Sequence, residues 1–261
     1  MKKTYVVNMS GGKDSCATTI LTKIKNEPVD FAIYSEIMFD KEKGISAEHP
    51  EHIRFIRETL EPKLNEMGIP LITVRAEKDF KDMFLQIIKN SKTPERNGMH
   101  RGFPMTMACH IKQELKIKPI LDFYANHKEL GEVFQYVGIA ADEKERLAPI
   151  KNDIHKISLL AKYGYSEADA LALAMEWGLR SPIYDKFKRN GCWFCPNSAL
   201  CEFRSVYNDH PDLWKELEEL AETENVFARN ITVGTSVRDL SHRFYWENAQ
   251  MDLFSDGFLK F

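Results

Sequence analysis

Residues 4–15, TYVVNMSGGKDS, decide the fold of this chain. TYVVNM is a short, mostly apolar run, which predicts a buried strand, and Gly11-Gly12 predicts a sharp turn directly after it. Over residues 14–25 the apolar side chains recur at helical spacing. A strand that leads through a glycine turn into a helix is the start of a βαβ unit.

The same alternation continues along the first half of the chain. We predict further strands at 31–39, 70–74 and 133–139, and helices at 52–67, 79–90 and 109–127. Alternating strands and helices imply right-handed crossovers and a mostly parallel, twisted sheet with flanking helices. The predicted class is therefore α/β, and ligands of such sheets bind beyond the carboxyl ends of the strands.

The pattern changes after about Pro149. Residues 166–177 predict a helix that Ser166 caps and Gly178 ends, and residues 211–224 predict a helix with proline at its first position. We therefore predict an α/β domain over 1–149 and a small helical, cysteine-containing subdomain over 150–225. The tail over 226–261 shows no clear period.

Composition excludes several classes of protein. The chain has 261 residues, of which 43% are hydrophobic and 11% aromatic, so we expect a globular fold. A formal net charge of -3 is not that of a generally basic nucleic-acid binder. The start, MKKTYVVNMS, lacks a long apolar run and a cleavage site, and no stretch is long enough to span a bilayer. With an odd count of five cysteines, we expect a reducing, cytoplasmic setting and no membrane partner.

The loop after the first strand has the features of an anion site. Adjacent glycines let the backbone approach an anion closely, and the amides and dipole of a helix start favour negative charge. A lysine adds a positive charge and two serines add hydroxyl donors. The spacing differs from that of a Walker A loop. The predicted phosphate-binding residues are Ser10, Gly11, Gly12, Lys13, Asp14 and Ser15.

Four cysteines suggest a metal centre. Residues 191–196, GCWFCP, form a C-x-x-C loop, Cys201 follows, and Cys109 lies upstream. Four thiolates suit a tetrahedral zinc site or a 4Fe–4S cluster, and the residues alone do not separate the two. A redox dithiol and unrelated buried cysteines stay open as alternatives. The predicted metal ligands are Cys109, Cys192, Cys195 and Cys201. We expect Cys16 to pack in the core and His110 to be solvated or to cap a helix.

The six residues of the loop resemble the PP-loop of the ATP pyrophosphatase-like enzymes, also called adenine nucleotide α-hydrolases. Three further segments are similar to the phosphoadenosine phosphosulfate (PAPS) reductase family within that superfamily. They are CHIK with LKIKP (109–119), GIAADEKER (138–146), and SPIY with GCWFCP (181–196). The resemblance implies an adenine nucleotide α-hydrolase-like fold, binding of ATP, and its cleavage to AMP and pyrophosphate.

The resemblance also bears on the metal. Cluster-bearing relatives place cysteines in the order of Cys109, Cys192 and Cys195, which favours 4Fe–4S over zinc. Those relatives have a cysteine pair where this chain has Cys109 alone, so Cys201 would replace the missing ligand. True reductases use a thiol in a later Glu-Cys-Gly motif, and this sequence has no cysteine after Cys201. We therefore expect a non-reductase member of the family.

Several other residues are candidates for the ATP site. Arg146 is positioned to stabilise charge on the α-phosphate, with Glu143 beside it, although an ordinary surface ion pair explains both equally. Asp14, or Glu36 and Asp40, would hold Mg²⁺. We predict Lys13, Asp14 and Arg146 as catalytic and Glu143 as ATP-binding. Basic residues flank the cysteines and would receive a nucleic-acid backbone or lie on solvated loops: Arg96, His100, Arg101, Lys112, Lys186, Lys188 and Arg189.

The leading hypothesis is an ATP pyrophosphatase that adenylates an acceptor and is linked to sulfur transfer or nucleic-acid or nucleotide modification through the cluster. The alternatives are a zinc-stabilised PP-loop ligase and a non-catalytic ATP-binding module. The sequence leaves open the acceptor, the sulfur donor, a partner protein and a homo-oligomeric state.

Overall fold

The computed structural model describes residues 2–106, 109–188 and 190–255, with side chains as far as residue 250. The chain forms two compact units, and each is built from two stretches of sequence. The first unit combines residues up to Glu77 with Lys112–Gly191, and the second combines Lys78–Ile111 with residues from Cys192 onward. The sequence-based division into 1–149, 150–225 and 226–261 used consecutive segments and stays a prediction.

The strands are short and spread along the whole chain. In chain order they are β1 (Lys3–Met9), β2 (Phe31–Ser35), β3 (Met38–Asp40), β4 (Ile45–Ser46), β5 (Leu71–Val74), β6 (His100–Gly102), β7 (Glu132–Tyr136), β8 (Lys156–Ile157), β9 (Val226–Ala228), β10 (Asn230–Thr232) and β11 (Thr235–Ser236).

The α-helices are α1 (Lys13–Ile24), α2 (Pro50–Phe55), α3 (Glu61–Glu66), α4 (Phe80–Leu85), α5 (Lys118–Asn126), α6 (Lys144–Leu147), α7 (Leu159–Lys162), α8 (Glu167–Glu176), α9 (Leu200–Asp209), α10 (Pro211–Ala221) and α11 (Val237–Ser255). A π-helical turn, Ile56–Leu60, joins α2 to α3, and another, Lys112–Ile117, leads into α5. Short 3-10 turns lie at Pro94–Arg96, Lys128–Leu130, Ala148–Ile150 and Pro182–Asp185.

A five-stranded sheet forms the centre of the first unit, in the order β5-β2-β1-β7-β8. Every pairing in it is parallel. Val7 of β1 lies between Ala32 of β2 and Tyr136 of β7, so β1 is the middle strand. The predicted α/β class with a parallel sheet and flanking helices is confirmed.

Both faces of this sheet are covered. One face packs against α1, α7 and α8 through fully buried side chains that include Ile20, Leu160 and Ala174. The opposite face is smaller and packs Ile33 and its neighbours against α5. Burial on both faces explains why β1 and β2 read as nearly continuous apolar runs.

Several predicted elements are shorter in the structure, and two of them end beside distant partners. The strand predicted at 31–39 is interrupted after Ser35, where the buried carboxylate of Glu36 binds Arg57 and Arg75, and β3 follows from Met38. The helix predicted at 79–90 ends at Leu85, because the backbone there turns to pair with His100. Side-chain and bridge partners far along the chain outweigh local periodicity at both ends.

The second unit is mostly helical and contains four of the five cysteines. An aromatic cluster lies at its centre, where the centroid of the Phe194 ring is 4.1 Å from that of Phe80 and the centroid of Phe103 is 5.0 Å from that of Phe84. The tail, which the sequence left open, forms a β10–β11 hairpin and then α11. Over the described residues, no helix is both long enough and apolar enough to cross a bilayer.

Gly102 predicts a measurable steric effect in the second unit. Its φ is +84°, and a Cβ there would overlap the carbonyl oxygen of Ala228 on the paired strand. Gly98 has a similar φ of +85° with open space around it. Its substitution by alanine therefore measures the cost of the backbone conformation without a steric clash. We expect Gly98→Ala to lower the free energy of unfolding by about 1–2 kcal/mol. Gly102→Ala should cost at least about 2 kcal/mol more, measured by urea titration. Equal losses would contradict the predicted clash.

Candidate functional site

The loop after β1 lies where the order of the sheet reverses. The chain leaves β1 for β2 and β5 on one side, and β7 and β8 lie on the other. The carboxyl ends of β1 and β7 are therefore neighbours at a topological switch point, which is where ligands of open α/β sheets bind. The residues predicted to bind phosphate, Ser10 to Ser15, follow β1 at this point and enter α1.

Backbone shape brings the elements of the loop close together. Gly11 has φ of +69°, a conformation that L side chains rarely adopt. Gly138 follows β7, and a Cβ on it would lie 2.8 Å from both the carbonyl carbon of Asp14 and the nitrogen of Ser15. Only glycine allows β7 to reach the first turn of α1 so closely.

The hydroxyl groups of two serines form hydrogen bonds within the loop. The Ser15 hydroxyl donates to the Gly12 carbonyl at 2.9 Å and accepts from the Ser10 amide at 3.2 Å. The Gly12 amide donates to the Ser10 hydroxyl at 3.3 Å. Both hydroxyls therefore hold the loop in shape, in addition to lining the cavity in front of it.

Two residues that the sequence did not indicate hold the Ser10 carbonyl. His52 Nε2 lies 2.9 Å from that oxygen and Asn190 Nδ2 lies 3.0 Å from it. Because a carbonyl only accepts, His52 is the Nε2–H tautomer, and its Nδ1 accepts from the Ser181 hydroxyl at 2.8 Å. Burial lowers the pKa of His52, so the neutral form is favoured. No local pattern links positions so far apart.

Tyr184 closes the start of α1. Its hydroxyl oxygen accepts from the Lys13 amide at 3.1 Å, and its side chain lines the cavity. Burial raises the pKa of Tyr184, so it stays protonated and its hydroxyl hydrogen remains a donor. Tyr184 is therefore a further functional candidate. In the sequence it was part of the SPIY segment and had no role of its own.

A polar cavity of about 400 Å³ opens in front of the loop. Its walls carry charges of both signs from Lys13, Asp14, Arg146, Glu167 and Lys188. Lys13 Nζ donates to Asp14 at 2.8 Å and to Glu167 at 2.9 Å. Burial lowers the pKa of Lys13, but these two hydrogen bonds outweigh that effect and the net pKa is raised. The structure thus brings the predicted residues Lys13, Asp14 and Arg146 to one cavity.

Three carboxylates meet beside the lysine. Asp14, Glu143 and Glu167 each place an oxygen within 4.8 Å of the others. Burial raises the pKa of Asp14, the carboxylates of Glu143 and Glu167 raise it further, and Lys13 opposes them. Glu143 also pairs with Arg146, as an ordinary i, i+3 ion pair would. Oxygen ligands in this arrangement fit Mg²⁺.

The other acidic candidates lie elsewhere. Glu36 is only 2% exposed and binds Arg57 and Arg75, at 3.0 Å and 2.6 Å. Asp40 accepts from the Lys43 amide at 3.0 Å. Neither residue belongs to the carboxylate cluster, so Glu167, which the sequence did not single out, replaces them as the third candidate Mg²⁺ ligand.

The four cysteines proposed as ligands all lie in the second unit. The Cys195 amide donates to the Cys192 carbonyl at 3.0 Å, which makes the C-x-x-C segment a tight turn. Cys201 lies in the first turn of α9, and Cys109 directly precedes His110, which is partly buried. All are thiols, and no disulfide joins described residues. The donor chemistry fits a sulfur-ligated metal centre, and the set of ligands stays a prediction.

Trp193, Phe194, Cys16 and His110 were also considered in the sequence, and they differ in burial. Trp193 and Phe194 are 2% and 1% exposed, so both pack in the core and neither offers a stacking face. Cys16 is fully buried in the first unit, and burial raises its pKa to about 12. Burial and then Arg101 lower the pKa of His110 to about 4, so that side chain is neutral. It is less solvated than the sequence suggested.

The basic candidates belong to both units. Arg96 stacks on the ring of Phe227, with its guanidinium carbon 4.3 Å from the centroid, and His100 Nδ1 contacts the Leu85 carbonyl. Lys188 lines the cavity of the first unit. Arg189 lies outside the described residues.

Comparisons with known proteins give distant similarities. No protein-family model matches the sequence. An uncharacterized protein of Methanocaldococcus jannaschii is 26% identical over 240 residues, which cover 87% of this chain and 44% of that protein. The chain thus spans less than half the length of this curated relative. The solved structure of the U34-tRNA thiolase NcsA from Methanococcus maripaludis, with its 4Fe–4S cluster, is 19% identical, with a TM-score of 0.41. The match covers 94% of this chain and 72% of that one. Neither similarity assigns a function to this chain.

Neutral His52 predicts a pH effect on the first unit. Its folded pKa is lowered, so the unfolded chain binds a proton that the folded chain does not once the pH falls below about 6.5. We expect the free energy of unfolding to fall between pH 7.5 and 5.5, by at most about 1.4 kcal/mol per pH unit from this residue. His52→Gln should flatten the slope, measured by urea titration at each pH. His110→Gln, in the second unit, controls for the partly buried histidine whose pKa is also lowered. An unchanged slope in His52→Gln would exclude the role of that residue.

Proposed function

We propose that this chain is an ATP-consuming enzyme of the PP-loop kind, which cleaves ATP to AMP and pyrophosphate and so adenylates an acceptor. The observation that supports this most is the position of the Ser10–Ser15 loop at the switch point of a parallel sheet, facing a polar cavity. Both the resemblance of the loop and its place in the fold favour a nucleotide phosphate as the ligand.

The charges of the cavity suit a phosphate chain together with a cation. Helix α1 offers the positive end of its dipole. Three carboxylates would repel the phosphates unless a cation lay between them. Asp14, Glu143 and Glu167 would hold Mg²⁺, which would offset negative charge on the leaving pyrophosphate. Lys13 would then be released from Asp14 and Glu167 to contact phosphate oxygens.

The proposed step is a displacement at the α-phosphorus. An oxygen of the acceptor forms a bond to that phosphorus while the bond to the oxygen bridging to the β-phosphate breaks. Pyrophosphate leaves with the electron pair, and the acceptor carries AMP. Lys13 and Arg146 line the cavity as cations and would stabilise the charge that develops on the phosphates.

The second unit would supply a cysteine-bound 4Fe–4S cluster linked to sulfur transfer or to modification of a nucleic acid or nucleotide. Cys109, Cys192, Cys195 and Cys201 would bind it, and such a centre supplies sulfur or redox chemistry.

Pyrophosphate release tests the ATP site. Lys13→Ala should reduce the release of pyrophosphate from ATP at least about 100-fold, because the cavity loses the cation nearest the start of α1. Lys23→Ala is the matched control, since Lys23 is an exposed lysine in the last turn of the same helix. Unchanged release in Lys13→Ala would reject the ATP site. If the unsubstituted protein binds ATP tightly but forms no AMP, a non-catalytic binding module would be favoured.

Metal analysis of protein purified without oxygen tests the second unit. Iron and sulfide near stoichiometry are expected, with absorbance at about 400 nm. Cys192→Ser should remove that absorbance, whereas Cys16→Ala should retain it because Cys16 lies buried in the first unit. One zinc per chain without colour would instead favour the zinc-stabilised ligase. Absence of metal would reject the cysteines as ligands.

A further inference from the structure

The second unit contains its own cavity beside the cysteine-bearing segments. It measures about 340 Å³, within the range of about 300–1,000 Å³ for ligand pockets. Pro196, which directly follows Cys195, forms one wall, and Thr106, three residues before Cys109, lies on the segment that leads to that cysteine. Thr232 Oγ1 donates to the Pro196 carbonyl at 2.9 Å and fixes β10 against the cysteine loop. A ligand in this cavity would therefore lie next to both segments.

The lining suits a flat ligand that has an apolar face and polar edges. Pro104, Met105 and Val233 contribute apolar surface, and Met105 is 54% and Val233 79% exposed. Phe227 adds an aromatic ring on which the Arg96 guanidinium already stacks. Thr106 and Asn230 offer hydrogen-bonding groups at the edge. Aromatic rings with neighbouring arginines are the usual platform for a nucleobase.

The cavity carries a positive charge on its lining. Among the described residues that line it, Arg229 is the only charged one, and its side chain is exposed. Arg101 lies on β6, which pairs with the β9 strand that carries Phe227. Its buried Nε has no hydrogen-bond partner among the described residues. Positive side chains on the cavity and on the strands beside it fit a ligand with more than one phosphate group.

We infer that this cavity receives one base of a single-stranded nucleic acid, with the Phe227 ring as its platform and Arg229 on the adjoining backbone phosphate. Arg96, which contacts the Phe227 ring, and Arg101, on the strand paired with β9, add positive charge for the phosphates of neighbouring nucleotides, which a single free nucleotide lacks. The inference rests on the proposed function for one point only, that the bound nucleic acid is the acceptor. Binding itself needs neither ATP nor a cluster.

Fluorescence anisotropy with the full chain and a short fluorescein-labelled single strand, as RNA and as DNA, tests the inference without ATP. Arg229→Gln should weaken binding about tenfold, because a charged hydrogen bond is lost, and should reduce the salt slope by about 0.7. Phe227→Ala should also weaken it about tenfold, through loss of stacking. Arg238→Gln is the matched control, as an exposed arginine on α11 outside the cavity lining, and should bind within about twofold of the unsubstituted protein.

Two results would overturn the inference. The first is that Arg229→Gln and Phe227→Ala bind the strand as tightly as the unsubstituted protein does, or that the unsubstituted protein does not bind the strand. The second is competition by a nucleoside monophosphate as effective as that by the unlabelled strand, which would indicate a mononucleotide site. Lys13→Ala should bind the strand normally. Strand binding without ATP cleavage would therefore reject the proposed function alone, and cleavage with no effect of Arg229→Gln on strand binding would reject this inference alone.

Discussion

The first unit depends on one close contact, between the backbone of Gly138 after β7 and the first turn of α1. Because residue 138 lacks a side chain, the end of β7 reaches the peptide between Asp14 and Ser15. That contact places the phosphate loop, Arg146 and the Asp14 carboxylate around one cavity. His52 and Asn190 then hold the loop by hydrogen bonds to the Ser10 carbonyl. The shape of the site follows from backbone packing before any ligand is present.

The balance of charge in the same cavity explains what it would bind. Lys13 is held by two carboxylates, and a third carboxylate lies within reach of both. Such a set is stable without ligand because the lysine offsets part of the negative charge. A phosphate chain alone would disturb that balance, whereas a phosphate chain with a divalent cation would restore it. This is the physical reason for proposing Mg-ATP and not a free anion.

The second unit combines an aromatic core with exposed polar chemistry. Phe80, Phe103 and Phe194 pack together, so the C-x-x-C loop and the segment that leads to Cys109 share one core. Trp193 and Phe194 are buried in this core, whereas Phe227 is half-buried and lines the cavity. Pro196, which directly follows the Cys192–Cys195 turn, lines the cavity of this unit.

The sequence by itself determined the strand, glycine turn and helix of residues 4–25, the parallel α/β class and the cysteine pattern, because each is encoded in local spacing. The capping box of α8, where Ser166 binds the Asp169 amide, is equally local. Only the tertiary structure decided that Glu167, Tyr184, His52 and Asn190 belong to the loop, since these residues are brought in from distant turns and helices. It also grouped residues 78–111 with the chain from Cys192 onward. Aromatic packing between segments about 90 residues apart has no periodic signal in a single sequence.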